Sequence, residues 1–593
     1  MTPKLYLADQ IVIVGYFLLL ASVGFYFWRR MKRVADLFTG GNNIPWWLAG
    51  VSFYLTSFSA FTFIGYSELA YRYGFVSVVL TWAFASAMLF GTIFLAKPWR
   101  RARIISPIEF LEARYSTQIR QTLAWAGLPL KLVDDGLKIY ATGIFVSIGL
   151  GYDLQTSVVV CGIVMSLYTF MGGLWAVVIT DYVQFVILNC GVCVLFPLVF
   201  SHMGGLLNGL KILSRQSPGF LAPFHYPLSF KYVAAFYVLA LLSFNGNWAS
   251  AQKFYSVRNE REARKAGVLA TFLKLLGPVL FLLPAMAARN LMPELLQPPN
   301  SPQYTYAALS VKYLPAGLLG LMIAAMFSAT MSTLSGDFNV IASVLTEDVY
   351  RRLFHPQASQ RRLLLVGRIA TLLVGGATVG IGVILVNSTK GGLFEIMVTL
   401  FNLFVGPMLI PMLVGLLSRR VTWRGAAAGI TCGFLCSFSL YLYKILVLAK
   451  QPGIDPMWLR YSFEAYSIFA NAGITLLAIT VTTLVERPTS LERSRIGSFF
   501  ARIDTPISTE KERAVDPGSV ISPLPIIGWI TIGVALLLLI AAATLGGSPG
   551  RSIDIGMGIF LSLVGVGFHL LNRTLFRAGS SSVLVPEESV QRS

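Results

Sequence analysis

Charged residues are scarce in this sequence. Asp, Glu, Lys and Arg together make up 12% of its 593 residues, whereas a soluble domain carries about 25%. Hydrophobic residues make up 55%, and the mean hydropathy is +0.69. A water-soluble enzyme, a disordered protein and a coiled coil are therefore excluded, because this much apolar surface needs a bilayer as its solvent.

Cysteine and histidine are also scarce. The chain has 5 Cys and 4 His, and their spacing matches neither a zinc site nor a disulfide framework. The sequence also lacks the glycine-rich phosphate loop that an ATP-driven pump requires. Without a recognisable nucleophile or transition-metal set, the sequence predicts a membrane protein that is not an enzyme.

The positive charge follows a membrane pattern. The net charge is +20, but the Lys and Arg residues lie in short segments between apolar stretches and not on one soluble face. If the N-terminus lies outside, the inner segments carry roughly three times as many Lys and Arg residues as the outer ones. We therefore predict a multi-pass protein of the cell inner (plasma) membrane with a cytoplasmic C-terminus and no nucleic-acid partner.

About fifteen stretches are apolar and long enough to span the bilayer. The stretch 304–345 is long for one span, so we expect it to tilt or to extend into the cytoplasm. The predicted spans are 9–28, 46–70, 75–97, 122–150, 155–174, 176–201, 232–252, 265–289, 304–345, 362–387, 391–417, 422–447, 462–485, 525–547 and 553–573.

Charged residues inside these spans are functional candidates, because a charge in hydrocarbon costs several kcal/mol. A helix-end acid facing the cytoplasm is the alternative interpretation of Asp181. The charged candidates are Asp134, Asp135, Lys138, Asp181, Lys274, Lys312, Asp337, Arg368 and Lys444.

Two hydroxyl-rich stretches are further candidates. Residues 52–62 of the second span hold several Ser and Thr, and Ser332, Ser335 and Asn339 share one face of the ninth. Hydroxyls can cap carbonyls where a helix unwinds, and unwound carbonyls are ligands for Na⁺. Ordinary helix packing is the alternative. The run Asn245-Gly246-Asn247 predicts a helix break in the seventh span.

Several segments resemble one transporter family. They are residues 43–47 (NIPWW), 106–115 (SPIEFLEARY), 168–184 (YTFMGGLWAVVITDYVQ), 273–278 (LKLLGP) and 331–350. Over roughly residues 9–450 the chain resembles the sodium:solute symporter family. The resemblance implies an all-α membrane protein with the LeuT-like five-plus-five inverted repeat and extra flanking helices. It also implies Na⁺-coupled symport of a small organic solute by alternating access.

The resemblance also implies two ion positions. The main Na⁺ site takes the backbone oxygens of Leu55, Phe58 and Ala329 and the hydroxyls of Ser332 and Thr333. A second Na⁺ site, present in some members, maps to Asp181 and Ser335 together with Ser332 and Thr333. One family hydroxyl at that site falls on Gly336 here, so one or two Na⁺ per solute both stay open.

The solute pocket implied by the resemblance comprises Ser57, Ser59, Phe61, Thr62, Thr81, Lys138 and Phe244. Lys138 favours an organic anion such as a sugar acid. In the alternative, Lys138 pairs with Asp134 one turn away and meets no solute. A neutral sugar or amino acid remains the second candidate for the solute, and a membrane sensor or channel is less favoured.

The predicted organisation follows from these assignments. An extra helix with an inner loop (1–45) precedes the first repeat (46–201), an outer loop (202–231) and the second repeat (232–417). Two flanking helices (418–485), a cytoplasmic linker (486–522) and C-terminal helices with a tail (523–593) complete the chain.

Overall fold

The computed structural model describes residues 6–28, 44–56, 58–104, 109–171, 174–215, 218–297, 301–388, 392–507, 522–545 and 549–581. Every regular element in this part of the chain is a helix. Helices satisfy their own backbone hydrogen bonds, which is what a long apolar segment needs in hydrocarbon.

Ten helices cover the described residues up to the loop near 220. They are α1 (Leu7–Trp28), α2 (Trp46–Leu55), α3 (Ala60–Tyr73), α4 (Val76–Phe90), α5 (Ala96–Arg101), α6 (Glu109–Arg114), α7 (Thr117–Leu150), α8 (Leu154–Met171), α9 (Leu174–Ser201) and α10 (Leu206–Ser214). A π-helical turn, Gly91–Leu95, joins α4 to α5.

Twelve further α-helices follow in the described part of the chain. They are α11 (Phe230–Gly246), α12 (Trp248–Tyr255), α13 (Glu260–Leu291), α14 (Thr305–Tyr313), α15 (Leu318–Ser343), α16 (Gln360–Ser388), α17 (Leu393–Leu417), α18 (Trp423–Leu446), α19 (Phe463–Val485), α20 (Ser490–Asp504), α21 (Leu524–Thr544) and α22 (Pro549–Ser581). A π-helical segment, Val344–Phe354, extends α15.

The predicted number of fifteen spans is not confirmed. Helical residues occupy each of the predicted stretches. By length and apolarity, however, the described residues contain 11 spanning helices, or up to 13 if each sharply bent pair counts as one span. The chain is therefore a multi-pass membrane protein.

Two broken helices occupy matching places in the fold. The pair α2 and α3 bends by 54° across a short break, and α11 gives way to α12 at Asn247. Helix α2 packs against α13, and α11 packs against α4. Helix α13 follows the second broken helix but packs against the first, and α4 follows the first broken helix but packs against the second. This crossed packing is expected of an inverted-repeat fold.

The long span 304–345 was predicted wrongly. It consists of two helices, α14 and α15, which are separated by a turn that contains Pro315 and Gly317. Gly317 has φ +95°, a conformation that side chains with a Cβ rarely adopt. The carboxylate of Asp9 on α1 accepts hydrogen bonds from the backbone N–H groups of Gly317 (2.7 Å) and Gly320 (2.8 Å), so it caps the start of α15.

The stretch 486–522 is more than the linker that was predicted. It contains α20, which begins with a capping box between Thr489 and Glu492. Phe499 and Phe500 of this helix are buried, and the helix packs against α5 and α6. Helix α10 likewise lies within the predicted outer loop 202–231.

Candidate functional site

The site is built around the break between α2 and α3. Helix α2 ends at Leu55, and the backbone N–H of Phe58 donates to the Leu55 carbonyl at 2.7 Å. Ser59 has extended backbone (φ −150°) and starts α3 in a capping box with Thr62. Hydroxyls were predicted to cap carbonyls at this break, whereas Ser59 and Thr62 here accept hydrogen bonds from backbone N–H groups at the start of α3.

Helix α15 crosses this break and contributes hydroxyl groups. The Thr333 hydroxyl oxygen lies 2.8 Å from the carbonyl oxygen of Phe58 and 3.2 Å from that of Ala329. The N–H of Ala60 donates to the Thr330 hydroxyl at 2.8 Å. Carbonyl and hydroxyl oxygens from both repeats are thus held together in a buried position.

Three of the five predicted main-site residues are in direct contact. Phe58, Ala329 and Thr333 are joined by direct contacts, and the Leu55 carbonyl faces the same break. Ser332 is adjacent to Thr333, but its hydroxyl donates to Asp181. Uncharged oxygens at an unwound membrane helix are the arrangement that coordinates Na⁺ in transporters.

Asp181 on α9 lies beside this point and is fully buried. Its carboxylate accepts hydrogen bonds from the hydroxyls of Ser52 and Ser332. The ammonium nitrogen of Lys253 lies 3.9 Å from it. Asp181 is therefore not an exposed acid at a helix end. Ser335, the other predicted residue of the second ion site, donates to the backbone carbonyl of Ser332 at 3.0 Å.

A cavity of about 150 Å³ adjoins the break on the other side. All the described residues that were predicted for the solute pocket line it, although they come from separate helices. They are Ser59, Phe61, Thr62, Thr81, Lys138 and Phe244. Ser57 was also predicted for this pocket, but it lies outside the described residues.

Three lysines and one aspartate are the charged side chains among the described residues that line the cavity: Lys131, Lys138, Lys274 and Asp134. The Lys274 ammonium is buried with 2% of the residue exposed. It lies 4.1 Å from the ring centre of Phe58, a cation–π contact.

Lys138 is engaged by the protein itself. Its ammonium pairs with Asp134 and Asp135 at 2.8 Å each and with Asp337 of α15 at 3.0 Å. Lys131 pairs with the other oxygen of Asp337 at 2.7 Å. The three carboxylates lie close enough to hold a metal ion, but the Lys138 ammonium occupies the space between them. The pairing of Lys138 with Asp134 is thus real, and it extends to a network between α7 and α15.

The break between α11 and α12 forms another part of the cavity wall. The side chain of Asn247 accepts a hydrogen bond from the N–H of Ala249 at 2.9 Å, which caps α12 and confirms the predicted break. Gly246, Asn247 and Trp248 line the cavity. Both helix breaks therefore adjoin the same space.

Two buried lysines were not predicted as candidates from the sequence. Lys253 was assigned to an inner loop, because it follows the predicted end of the seventh span by one residue, yet it is 4% exposed. Lys131 was not selected, although it lies in the fourth predicted span with Asp134 and Asp135. Its position one turn from these acids was the available signal.

The sequence profile of the sodium:solute symporter family matches residues 37–433. The chain is 26% identical over 521 residues to sodium/glucose cotransporter 4 of Danio rerio, covering 81% of this chain and 79% of that protein. It is 24% identical over 486 residues to the sodium/sialic acid symporter SiaT of Proteus mirabilis (strain HI4320), covering 80% of this chain and 95% of that protein.

A solved structure of a Na⁺-coupled sialic acid symporter in a substrate-bound outward-open state superposes on the chain with a TM-score of 0.70. The two are 22% identical, and the match covers 82% of this chain and 99% of that one. This likeness confirms the predicted fold class, an all-α membrane protein with the LeuT-like inverted repeat.

Proposed function

The chain belongs to the sodium:solute symporter family, and we propose that the solute it moves with Na⁺ is a small organic anion. It is a multi-pass membrane transporter and not an enzyme. Na⁺ and a small organic solute are its co-substrates, and in the proposed cycle the Na⁺ gradient drives the solute into the cell by alternating access.

We assign the main Na⁺ position to the break between α2 and α3. The backbone oxygens of Leu55, Phe58 and Ala329 and the hydroxyls of Ser332 and Thr333 are its proposed ligands. The Thr333 hydroxyl supports the assignment, since it already lies within 3.2 Å of two of the carbonyl oxygens. A bound ion would tie the first repeat to the second at this point, and so favour the arrangement that binds solute.

The proposed solute position is the cavity of about 150 Å³ beside that break. The single observation that carries an anionic solute is the buried ammonium of Lys274 in the lining of this cavity. Among the lining lysines we assign Lys274 to the solute carboxylate, because its buried ammonium lies over the ring of Phe58, next to the proposed Na⁺ position. Ser59, Thr62 and Thr81 would supply hydroxyls to it, and the rings of Phe61 and Phe244 would cover its apolar face.

The named relatives are compatible with two solute classes. One is a sodium/glucose cotransporter, and another is a sodium/sialic acid symporter. Sialic acid is a sugar that carries a carboxylate, and the buried ammonium of Lys274 is a suitable partner for that group. A neutral sugar or an amino acid is the second candidate, because hydroxyl-rich walls bind either of them.

Uptake into proteoliposomes tests the proposal. Radiolabelled sialic acid, glucuronate, pyruvate, glucose, myo-inositol and proline would each be offered with an inward Na⁺ gradient and with K⁺ replacing Na⁺. We expect saturable, Na⁺-dependent uptake of a carboxylate solute. Uptake of the neutral sugars alone would contradict the anion assignment, and a leak without Na⁺ would indicate a channel.

We also propose that the N-terminus lies outside and the C-terminus in the cytoplasm, on the basis of the Lys and Arg bias. Fusion of alkaline phosphatase or a fluorescent protein to the C-terminus tests this. The phosphatase is active only outside the cytoplasm, so an active phosphatase fusion would reverse the assignment.

A further inference from the structure

The buried carboxylate of Asp181 receives polar groups from three other helices. Ser52 of α2 and Ser332 of α15 donate hydroxyls to it, and Lys253 of α12 brings an ammonium to 3.9 Å. Two of these helices, α2 and α12, are halves of the two broken helices. Asp181 therefore lies where both repeats meet, directly behind the proposed Na⁺ position.

The charge at this point requires a cation. A carboxylate that is removed from water and faces only neutral hydroxyls is strongly unfavourable in a protein interior. Serine hydroxyls satisfy its hydrogen bonds, but they leave its negative charge uncompensated. Lys253 supplies that charge from within the chain, and the two residues are almost fully removed from solvent, at 0% and 4% exposure.

Little free space adjoins Lys253. Lys253, Ser332 and Thr333 line a cavity of only about 10 Å³, next to Thr56. The ammonium of Lys253 lies 3.9 Å from the Asp181 carboxylate, so a second cation beside Asp181 would be held close to a like charge, which is unfavourable in a buried position.

We propose that Lys253 is a built-in counter-ion for Asp181 that takes the place of a second transported cation, so that one Na⁺ moves with each solute. The proposal rests on the proposed function, because Ser332 contacts Asp181 and also belongs to the proposed ligand set of the main Na⁺. In this role Lys253 is a positioning residue. It sets the number of Na⁺ ions that move with each solute, and it does not contact the solute.

Counting bound ions tests this without knowledge of the solute. Binding of ²²Na⁺ to the purified full-length protein is measured by scintillation proximity across a Na⁺ titration. The wild type should bind one Na⁺ per chain with a Hill coefficient near 1. Lys253→Met exposes Asp181 to the cavity and should bind a second Na⁺, with a Hill coefficient clearly above 1. The double variant Lys253→Met/Asp181→Asn should return to one.

A matched control is Lys444→Met. Lys444 is another lysine of a spanning helix with a carboxylate partner, Glu464, at 2.6 Å, and its replacement should leave the count at one. Two ions in the wild type, or one ion in folded Lys253→Met, would overturn the counter-ion role. If Lys253→Met does not fold, the wild-type count and the double variant decide. Absence of any bound Na⁺ in the wild type would contradict the Na⁺ site itself, and so marks a failure of the proposed function.

Discussion

The hydroxyl oxygen of Thr333 lies 2.8 Å from the backbone carbonyl oxygen of Phe58. Thr333 belongs to α15, whereas Phe58 belongs to the break between α2 and α3. Their contact therefore depends on how α15 packs against this break. An ion that binds both oxygens would stabilise this arrangement, which is the physical basis of coupling between ion and solute.

Thr333→Val should weaken Na⁺ binding selectively. Valine keeps the shape of threonine but removes the hydroxyl, so one proposed ligand is lost while packing is retained. A polar contact to a charged group contributes about 1.5–3 kcal/mol, so the Na⁺ concentration for half-saturation should rise by about tenfold or more. This half-saturating concentration is measured from the binding of ²²Na⁺ to the purified protein over a range of Na⁺ concentrations.

Thr378→Val is the control for this change. Thr378 is fully buried on α16, and its hydroxyl donates to the carbonyl of Val374 in the same helix. Its replacement removes a buried hydroxyl away from the site and should leave the Na⁺ dependence unchanged. Equal half-saturation in Thr333→Val and wild type would remove Thr333 from the ligand set.

Lys274→Met should remove uptake of anionic solutes. Methionine keeps most of the apolar side-chain volume but lacks the ammonium that we assign to the solute carboxylate. The loss of a charge-assisted contact should lower uptake of the carboxylate by about 10- to 100-fold, while a neutral solute that also enters the cavity should be little affected. Initial rates of Na⁺-driven uptake in proteoliposomes compare the two.

Lys312→Met controls for the loss of one lysine. Lys312 lies in the last turn of α14 and donates to the backbone carbonyl of Leu291 at 3.2 Å, outside the cavity. The Lys312→Met variant should take up the carboxylate solute at the wild-type rate. If Lys274→Met transports the carboxylate normally, the anion is held elsewhere or the solute is neutral.

The helix breaks could be predicted because their chemistry is local. Hydroxyls around Ser59 and the amide of Asn247 satisfy backbone groups within a few residues of themselves, so a short stretch of sequence carries the signal. The turn between α14 and α15 was missed for the opposite reason. It is made by Pro315 and Gly317 within an apolar stretch, and averaged hydropathy does not detect a change of direction.

The ion pairs could not be predicted from local patterns. Lys131 and Asp337 are far apart in sequence and meet because α7 packs against α15. Lys253 reaches Asp181 in the same way, from a helix that begins at Trp248. The spacing of Lys138 and Asp134 on one helix predicted one of the three partners of Lys138, and Asp135, three residues from Lys138 on the same helix, carried the same local signal.

Lys131→Met should destabilise the protein. The change leaves three carboxylates, of which Asp135 and Asp337 are buried, with the single ammonium of Lys138. Removing one member of a buried charge network costs about 3–5 kcal/mol. We expect a clear drop in the unfolding temperature of the detergent-solubilised protein, and a partial recovery in Lys131→Met/Asp337→Asn, because the second change removes the orphaned charge.

Lys231→Met provides the comparison for this loss. Lys231 is an exposed residue whose ammonium contacts the ring of Tyr466, and a surface change of this kind should shift stability by less than about 0.5 kcal/mol. Equal unfolding temperatures for Lys131→Met and Lys231→Met would show that the network is not a stabilising element.

Glu112, on the short helix α6 outside the spanning segments, joins α6 to the π-helical extension of α15. Arg352 donates two hydrogen bonds to its carboxylate, at 2.6 and 2.9 Å, and Thr117 donates one at 2.8 Å. The pKa of Glu112 is lowered from 4.5 to about 2, and the hydrogen bonds from Arg352 are the largest cause. The ionised form is therefore favoured by the folded state.

The stability that Glu112 contributes should disappear in acid. A carboxyl whose pKa is lowered by folding stabilises the protein above its ordinary pKa, and this contribution is lost as the pH falls through the folded value. The difference in unfolding temperature between wild type and Glu112→Gln should therefore be constant from about pH 7 to pH 5 and should shrink between about pH 4.5 and pH 2. Comparing the two proteins at each pH cancels the acid effects that they share. A difference that stays constant through this range would mean that Glu112 keeps its ordinary pKa in the folded protein and that its arginine partners do not favour the ionised form.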